Sequence, residues 1–344
     1  MISRKKEHYP VTPSLLHYLS HFGRSSDIPL VYDDLLRFSG SIPYENPKGE
    51  ETLWLEVMYP PEIREALYPK LTEIYAVLKI GGDLSMAQHL TVERVDFGEF
   101  GNSRPFRIRI TNLFNGNSDY YYVKHADASR LYGLELEHIL SPNRINYLVK
   151  GNTLIEEHIA GVPGDTFIKN YFDNPELNRV RLAKEFVKFG ERCFLRLLGD
   201  MRTVNYVIDI TPDFEEIQYR VRPIDFDQQS YEGHLSVYRA HLFPDNKPVE
   251  DLVRGHLNDK TIMQYRSEER SQMHRRILVE RNRLTGLLSV MKKDHIAPES
   301  HLLELRHALS LRYGSHAFES CMSMGDLTAI HLQLVFDAQK KIKP

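Results

Sequence analysis

Residues 198–227 read LGDMRTVNYVIDITPDFEEIQYRVRPIDFD, and the fold turns on how they are read. Two short polar clusters are each attached to a β-type apolar run: Gly199-Asp200 with Asn205, and Asp225-Phe226-Asp227. Between them Tyr206 to Ile210 alternates as a strand does, Thr211-Pro212-Asp213 turns the chain, and Tyr219 to Ile224 returns. Such a hairpin sets Asn205 and Asp225 side by side at one end. An amide and a carboxylate, with a second carboxylate nearby, form an oxygen-only set that suits a hard cation such as Mg²⁺ when phosphates complete its shell. Asp and Asn are equally ordinary turn residues. The cluster by itself leaves a structural turn and a metal site both open.

Upstream, Arg179 to Leu198 predicts a long amphipathic helix with Phe186, Phe189, Cys193, Phe194 and Leu197 inward, delivering the chain to Asp200. Before it, Thr91 to Phe97, Arg104 to Thr111 and Tyr120 to Lys124 read as three strands, with Asn115-Gly116 as a hairpin signal. Gly98 and Gly101 in the first turn would let the backbone approach a phosphate closely, or serve as plain turn glycines. Alternation puts Lys124 on the face opposite Val123. The helix predicted over Ala128 to Leu140 carries Glu135 and Glu137, either of which could reach back to hold the Lys124 ammonium extended. Asn143 to Lys150 and Thr153 to Ile159 form another hairpin. Its second strand passes into Ala160-Gly161-Val162-Pro163-Gly164, as a connector between lobes would. The backbone groups of Glu157, His158 and Ile159 would there be free to pair with an adenine edge.

Further out, the patterns carry structure rather than chemistry. Ser14 to Phe22 predicts a helix with Pro13 in its first turn, residues 24–50 read as loop, and Thr52 to Tyr59 as a strand. A helix opens at Pro61, and Pro69 inside it predicts a kink or a break. Residues 1–85 hold no chemical motif and read as an extension, structural or facing a protein partner. Beyond Tyr231 the chain reads as helices at Val249–Leu257, along the stripe Met273, Ile277, Leu284, Leu288 and Met291, at His301–Arg312, and from Gly325 to Phe336. The stripe segment is rich in Arg and Lys, for which a solvated helix face is the ordinary reading.

Composition bounds the function class. At 344 residues with 42% hydrophobic and 26% charged side chains, the chain can bury a sizeable core as a globular protein. Its net charge of −3 gives no overall excess of positive charge for nucleic acid or an anionic membrane. Two isolated cysteines, Cys193 and Cys321, make neither a disulfide framework nor a zinc site, so a reducing cytoplasm is expected. No signal core follows Met1, and no uncharged apolar run approaches the ~20 residues that span a bilayer. The sixteen histidines lack H-E-x-x-H spacing, and neither G-x-S-x-G nor G-x-G-x-x-G occurs. Zinc hydrolases, nucleophile-elbow hydrolases and dinucleotide enzymes therefore find no support.

Taken in order, Val123-Lys124, the helix glutamate, LIEEHIAG at 154–161, G-D-x-x-x-x-N at 199–205 and I-D-F-D at 224–227 resemble the protein-kinase-like superfamily. The likeness covers about residues 88–235 and is nearer to the aminoglycoside and choline phosphotransferase branch than to protein kinases proper. It implies an α+β, two-lobed fold: an N-terminal extension over 1–85, an antiparallel-sheet lobe over 86–160, and a mostly helical lobe over 161–344. It implies ATP and Mg²⁺ as cofactors and a small-molecule hydroxyl as acceptor. Asp200 is then the catalytic-loop aspartate that orients the acceptor, and Asn205 and Asp225, helped by Asp227, are the Mg²⁺ ligands. Lys124 contacts the α/β-phosphates with Glu135, or Glu137, as its partner. Gly98 and Gly101 lie over the phosphates, and Glu157 to Ile159 supply adenine contacts. Leu198 stands where the family usually has His, Asp227 replaces the glycine of D-F-G, the glycine-rich loop is short, and no A-P-E follows. Leu198 and the short loop motivate the alternative of a kinase-shaped nucleotide-binding or regulatory module with little or no turnover.

Overall fold

In a computed structural model of the chain the described residues are 6–25, 27–46, 49–80, 84–99, 102–212 and 217–340. The fold is α+β, with a seven-stranded and a three-stranded antiparallel sheet and, among the described residues, eleven helices. The chain divides into two compact units, Met1–Ala128 with Ile145–His158, and Ser129–Arg144 with Ile159–Pro344.

The first unit contains helices α1 (Pro13–His21), α2 (Tyr32–Leu35) and α3 (Pro61–Ile80). Its strands are β1 (Gly40–Glu45), β2 (Glu51–Met58), β3 (Leu90–Gly98), β4 (Phe106–Asn112), β5 (Ser118–His125), β6 (Tyr147–Lys150) and β7 (Thr153–Glu157). They lie in the order β1-β2-β3-β4-β5-β7-β6. Alternation separates the faces. Val95, Phe97, Phe106, Ile108, Tyr121 and Val123 join one buried apolar cluster with Leu67, Leu71 and Ile74 of α3. The opposite row runs Asp96, Arg107, Tyr122, Glu156, through the registers Asp96↔Arg107, Arg107↔Tyr122 and Tyr122↔Glu156.

Three expectations for this unit need correction. Residues 24–50 are not all loop, because they hold α2 and β1; Ile42 and Pro43 are exposed on an edge strand, so no buried alternation announces it. Helix α3 is continuous through Pro69 rather than broken there. An interior proline costs about 3 kcal/mol, whereas burying Leu67, Leu71 and Ile74 contributes roughly 1.5–3 kcal/mol each. Packing wins. The stretch read as an extension also supplies two strands to the main sheet, so the compact unit begins well before residue 86.

The second unit holds α4 (Ala128–Leu140) from Ser129 onward, β8 (Val162–Pro163), α5 (Gly164–Tyr171), α6 (Arg179–Arg196), β9 (Tyr206–Pro212) and β10 (Ile217–Pro223). Five helices follow: α7 (Lys247–His256), α8 (Asp259–Val279), α9 (Arg281–Met291), α10 (Glu299–Tyr313) and α11 (Met324–Lys340). The stripe from Met273 to Met291 thus belongs to two helices, divided at Glu280. The hairpin β9–β10 forms, with Tyr206 opposite Pro223, and its tip at Asp213 lies outside the described residues. No described helix is long and apolar enough to cross a membrane.

Candidate functional site

The end of α6 builds the site. Leu197 adopts a left-handed conformation (φ 56°), ending the helix, and the Leu198 N–H donates back to Cys193 O. The chain is then stitched to the stretch after Asp227. Gly199 N–H donates to Gln228 O at 3.1 Å, Ser230 N–H donates to Leu197 O at 2.7 Å, and Leu198 bridges Gln229. A side chain at 199 would meet Val237 Cγ1 at 3.0 Å, which accounts for the glycine.

Asp200 sits at φ 57°, a left-handed conformation that Asp tolerates better than most residues. Its N–H donates to Val237 O at 3.2 Å. Arg202 Nε donates to Asp200 Oδ1 at 2.8 Å, and Asn205 Nδ2 donates to Asp200 O at 2.6 Å and to Oδ2 at 3.3 Å. Burial raises the Asp200 carboxyl above its usual value; Arg202 opposes that shift, Asp245 adds to it, and Asn205 opposes it. With its Nδ2 so engaged, Asn205 has its amide oxygen as the end suited to a cation.

The second cluster is reached through one backbone bond, Ile224 N–H to Asn205 O at 3.0 Å. The two polar ends of the hairpin are therefore neighbours, as the sequence implied. Asp225 Oδ1 accepts the Asp227 N–H at 3.0 Å, making a tight turn. Arg130, from the first turn of α4, donates from Nη1 to Asp225 Oδ1 and to Asp227 Oδ1, each at 2.9 Å. The arginine side chain is 3% exposed, and those of Asp225 and Asp227 are 34% and 12% exposed. Ser129 Oγ lies within donor reach of Asp227 O and Gln229 O. One turn on, a Cβ at Gly133 would lie 2.9 Å from Phe226 Cβ, so the missing side chain lets Phe226 pack against α4.

Glu135 and Glu137 hold arginines within this unit. Glu135, fully buried, takes the Arg283 guanidinium in a bidentate pair at 2.8–3.0 Å. Glu137 pairs with the buried Arg196. In the first unit Lys124 Nζ donates to Glu156 Oε2 at 2.5 Å and lies 5.2 Å from the Tyr122 ring centroid. The ion pair described for Lys124 is thus with the neighbouring strand, a glutamate that the sequence reading did not single out.

The expected nucleotide contacts divide. Gly98 ends β3 and donates its N–H to Pro105 O at 2.8 Å, while Gly101 lies outside the described residues. Glu157 donates its N–H to Asn146 O and pairs with Lys79, so its amide is already used. His158 Nδ1 shares a hydrogen bond with Tyr122 Oη at 3.1 Å, and burial lowers its pKa. Ile159 is buried at the start of the second unit's next segment.

Arg130, Ser129, Arg202 and Glu156 escaped sequence reading. Two left a signal. An arginine in the first turn of a helix opposes the helix dipole and calls for a carboxylate, and a glutamate inside the apolar strand Leu154-Ile155-Glu156 calls for a cation.

No protein-family model matches the chain, and no curated protein matches it. The reading of the site therefore rests on its geometry and on the motifs.

Proposed function

We propose that the chain is an ATP- and Mg²⁺-dependent phosphotransferase that moves a γ-phosphoryl group to a hydroxyl of a small molecule. In this reading the two compact units correspond to the sheet-bearing and helical lobes of a protein-kinase-like fold. The observation that carries it is the junction in the second unit: Asn205 bonds Asp200 through its side chain and Ile224 through its backbone, setting a half-buried aspartate beside an Asn/Asp/Asp oxygen set.

The donor chemistry fits a hard cation: Asn205, Asp225 and Asp227 offer an amide and two carboxylates and no sulfur or imidazole. Those three residues would hold Mg²⁺, which when bound supplies neutralisation of phosphate charge. Arg130 keeps both carboxylates oriented and cancels one of their two charges. Asp200 has its orientation fixed by Arg202 and Asn205, and its burial-raised basicity suits it to receive the acceptor proton. In the transfer the acceptor oxygen bonds the γ-phosphorus, the β,γ-bridging P–O bond breaks, ADP leaves, and the hydroxyl proton passes to Asp200. Lys124 is assigned the α/β-phosphate contact, steadied by Glu156.

The test is transfer from labelled ATP to a panel of small hydroxylated acceptors. Asp200→Asn should lower turnover by about 100-fold or more, and Lys124→Met should raise KM for ATP. Full turnover in Asp200→Asn would refute the assignment. A second reading, a nucleotide-binding regulatory module, is favoured by one observation: Arg130 already occupies one oxygen of each carboxylate in the Asp225/Asp227 pair. Nucleotide-dependent stabilisation without Mg²⁺-dependent turnover would select it.

A further inference from the structure

A cavity of about 230 Å³ opens in the second unit among α6, α7, α8 and α10. None of the residues assigned to phosphoryl transfer lines it. Its wall carries four arginines, Arg239, Arg266, Arg270 and Arg312, against two carboxylates, Glu191 and Glu250. Glu191 serves two of the four, at 2.6 Å from Arg270 Nε and 3.7 Å from Arg266 Nε. Glu250 pairs at 2.9 Å with Arg254, which is not on the wall. Among the described residues, then, no carboxylate forms an ion pair with Arg239 or Arg312.

Both of those guanidinium groups lie over the Phe194 ring, 5.7 Å and 4.7 Å from its centroid. A cation–π contact of this kind attracts each guanidinium to the ring but does not cancel its charge. Burial lowers the Arg239 pKa first, and Arg312 and Arg266 then lower it further. Like charges collected at a half-enclosed wall repel, an arrangement that costs stability unless an anion completes it. Planar guanidinium forks match the oxygens of a phosphate. Apart from His241, the remaining wall, with Val187, Val253 and Ile262, is apolar and suits a short carbon body. The volume falls below the roughly 300–1,000 Å³ of sites for drug-sized ligands, which limits the occupant to a few heavy atoms beyond one phosphate.

We propose that this cavity binds a small phosphate monoester, its phosphate held by Arg239 and Arg312 and its carbon body lying against the α6–α8 wall. Calorimetric titration of the full chain with glycerol 2-phosphate and with inorganic phosphate tests it, in metal-free buffer at constant ionic strength set with chloride. Arg239→Gln and Arg312→Gln are each expected to weaken binding about tenfold or more, from the loss of hydrogen bonds to a charged group. Asp225→Asn and Lys124→Met should bind as wild type does. Without ligand, the double variant should melt at or above the wild-type temperature, because repulsion has been relieved. Should it fail to fold, Arg312→Gln, a change at an exposed side chain, carries the test by itself. Binding equal to wild type in that variant, or no heat beyond the chloride control, overturns the proposal. So does a heat lost in Lys124→Met and kept in the arginine variants.

Discussion

Replacing Arg130 by Met removes a guanidinium that spans Asp225 and Asp227 while keeping a side chain of similar length. Two charge-assisted bonds of 2.9 Å are lost, and two carboxylates two residues apart are left facing each other. Removing one partner of a buried ion pair costs about 3–5 kcal/mol. The Asp225 side chain is 34% exposed and regains part of its hydration, so the lower end, about 3 kcal/mol, is expected. For a domain of ~200 residues each kcal/mol moves Tm by about 2–4 °C, giving a fall of about 6–12 °C. Differential scanning fluorimetry reads it. Adding Asp227→Asn to the variant should recover about 1–2 kcal/mol, since one of the two like charges has gone. Mg²⁺ should raise Tm more in Arg130→Met than in wild type, at ionic strength matched with NaCl, because the cation replaces the missing positive charge. A variant melting within about 2 °C of wild type would refute the reasoning, as would an equal loss with and without Asp227→Asn.

Gly133→Ala gains about 1 kcal/mol of helix propensity, yet places a methyl 2.9 Å from Phe226 Cβ and 3.1 Å from Gln229 Cβ. Overpacking of about 1–3 kcal/mol should dominate, lowering the urea midpoint; a raised midpoint would refute the close approach. His331 is fully buried, with Nε2 3.1 Å from Phe194 O, and burial brings its pKa down to about 4. The unfolded chain takes up that proton near pH 6.5, before the folded one does. Stability is therefore complete above about pH 6.5 and falls by up to about 3 kcal/mol as the pH drops to about 4. Urea unfolding from pH 7 to pH 4 should show a shallower loss in His331→Gln than in wild type. Parallel curves would refute the assignment.

The hairpin around Asn205 and Asp225 was legible because its information is local. A turn signal, an alternating run and two polar ends lie within 30 residues, although Thr211 and Pro212, read as turn, belong to the ladder of β9. Helix α4 was legible for the same reason, its apolar period marking 128–140 to the residue. What the local pattern lacks is the partner of a charge. Arg130 finds Asp225 across 95 positions, and Glu135 finds Arg283 across 148. A glutamate on a helix is compatible with any cation that the fold brings near. Short elements were missed for another reason: α2 has four residues, β8 has two, and α5 opens on Gly164, whose poor helix propensity hides its start. In α5 it is close packing that sets the residue, since a Cβ at 164 would lie 2.5 Å from the Tyr206 ring.

The division of the chain bears on its synthesis. The polypeptide passes from one unit to the other three times, after Ala128, after Arg144 and after His158, so neither unit is a single stretch. Arg130 leaves the ribosome 95 residues before Asp225, a delay of about 5–20 s at roughly 5–20 residues per second. During that interval Glu137 meets its partner first, since Arg196 follows it by 59 residues, whereas Ser129, Arg130 and Glu135 wait for residues 225–229 and 283. The nascent helix is for those seconds a charged, half-made surface, and a fragment cut near residue 160 would keep that state permanently.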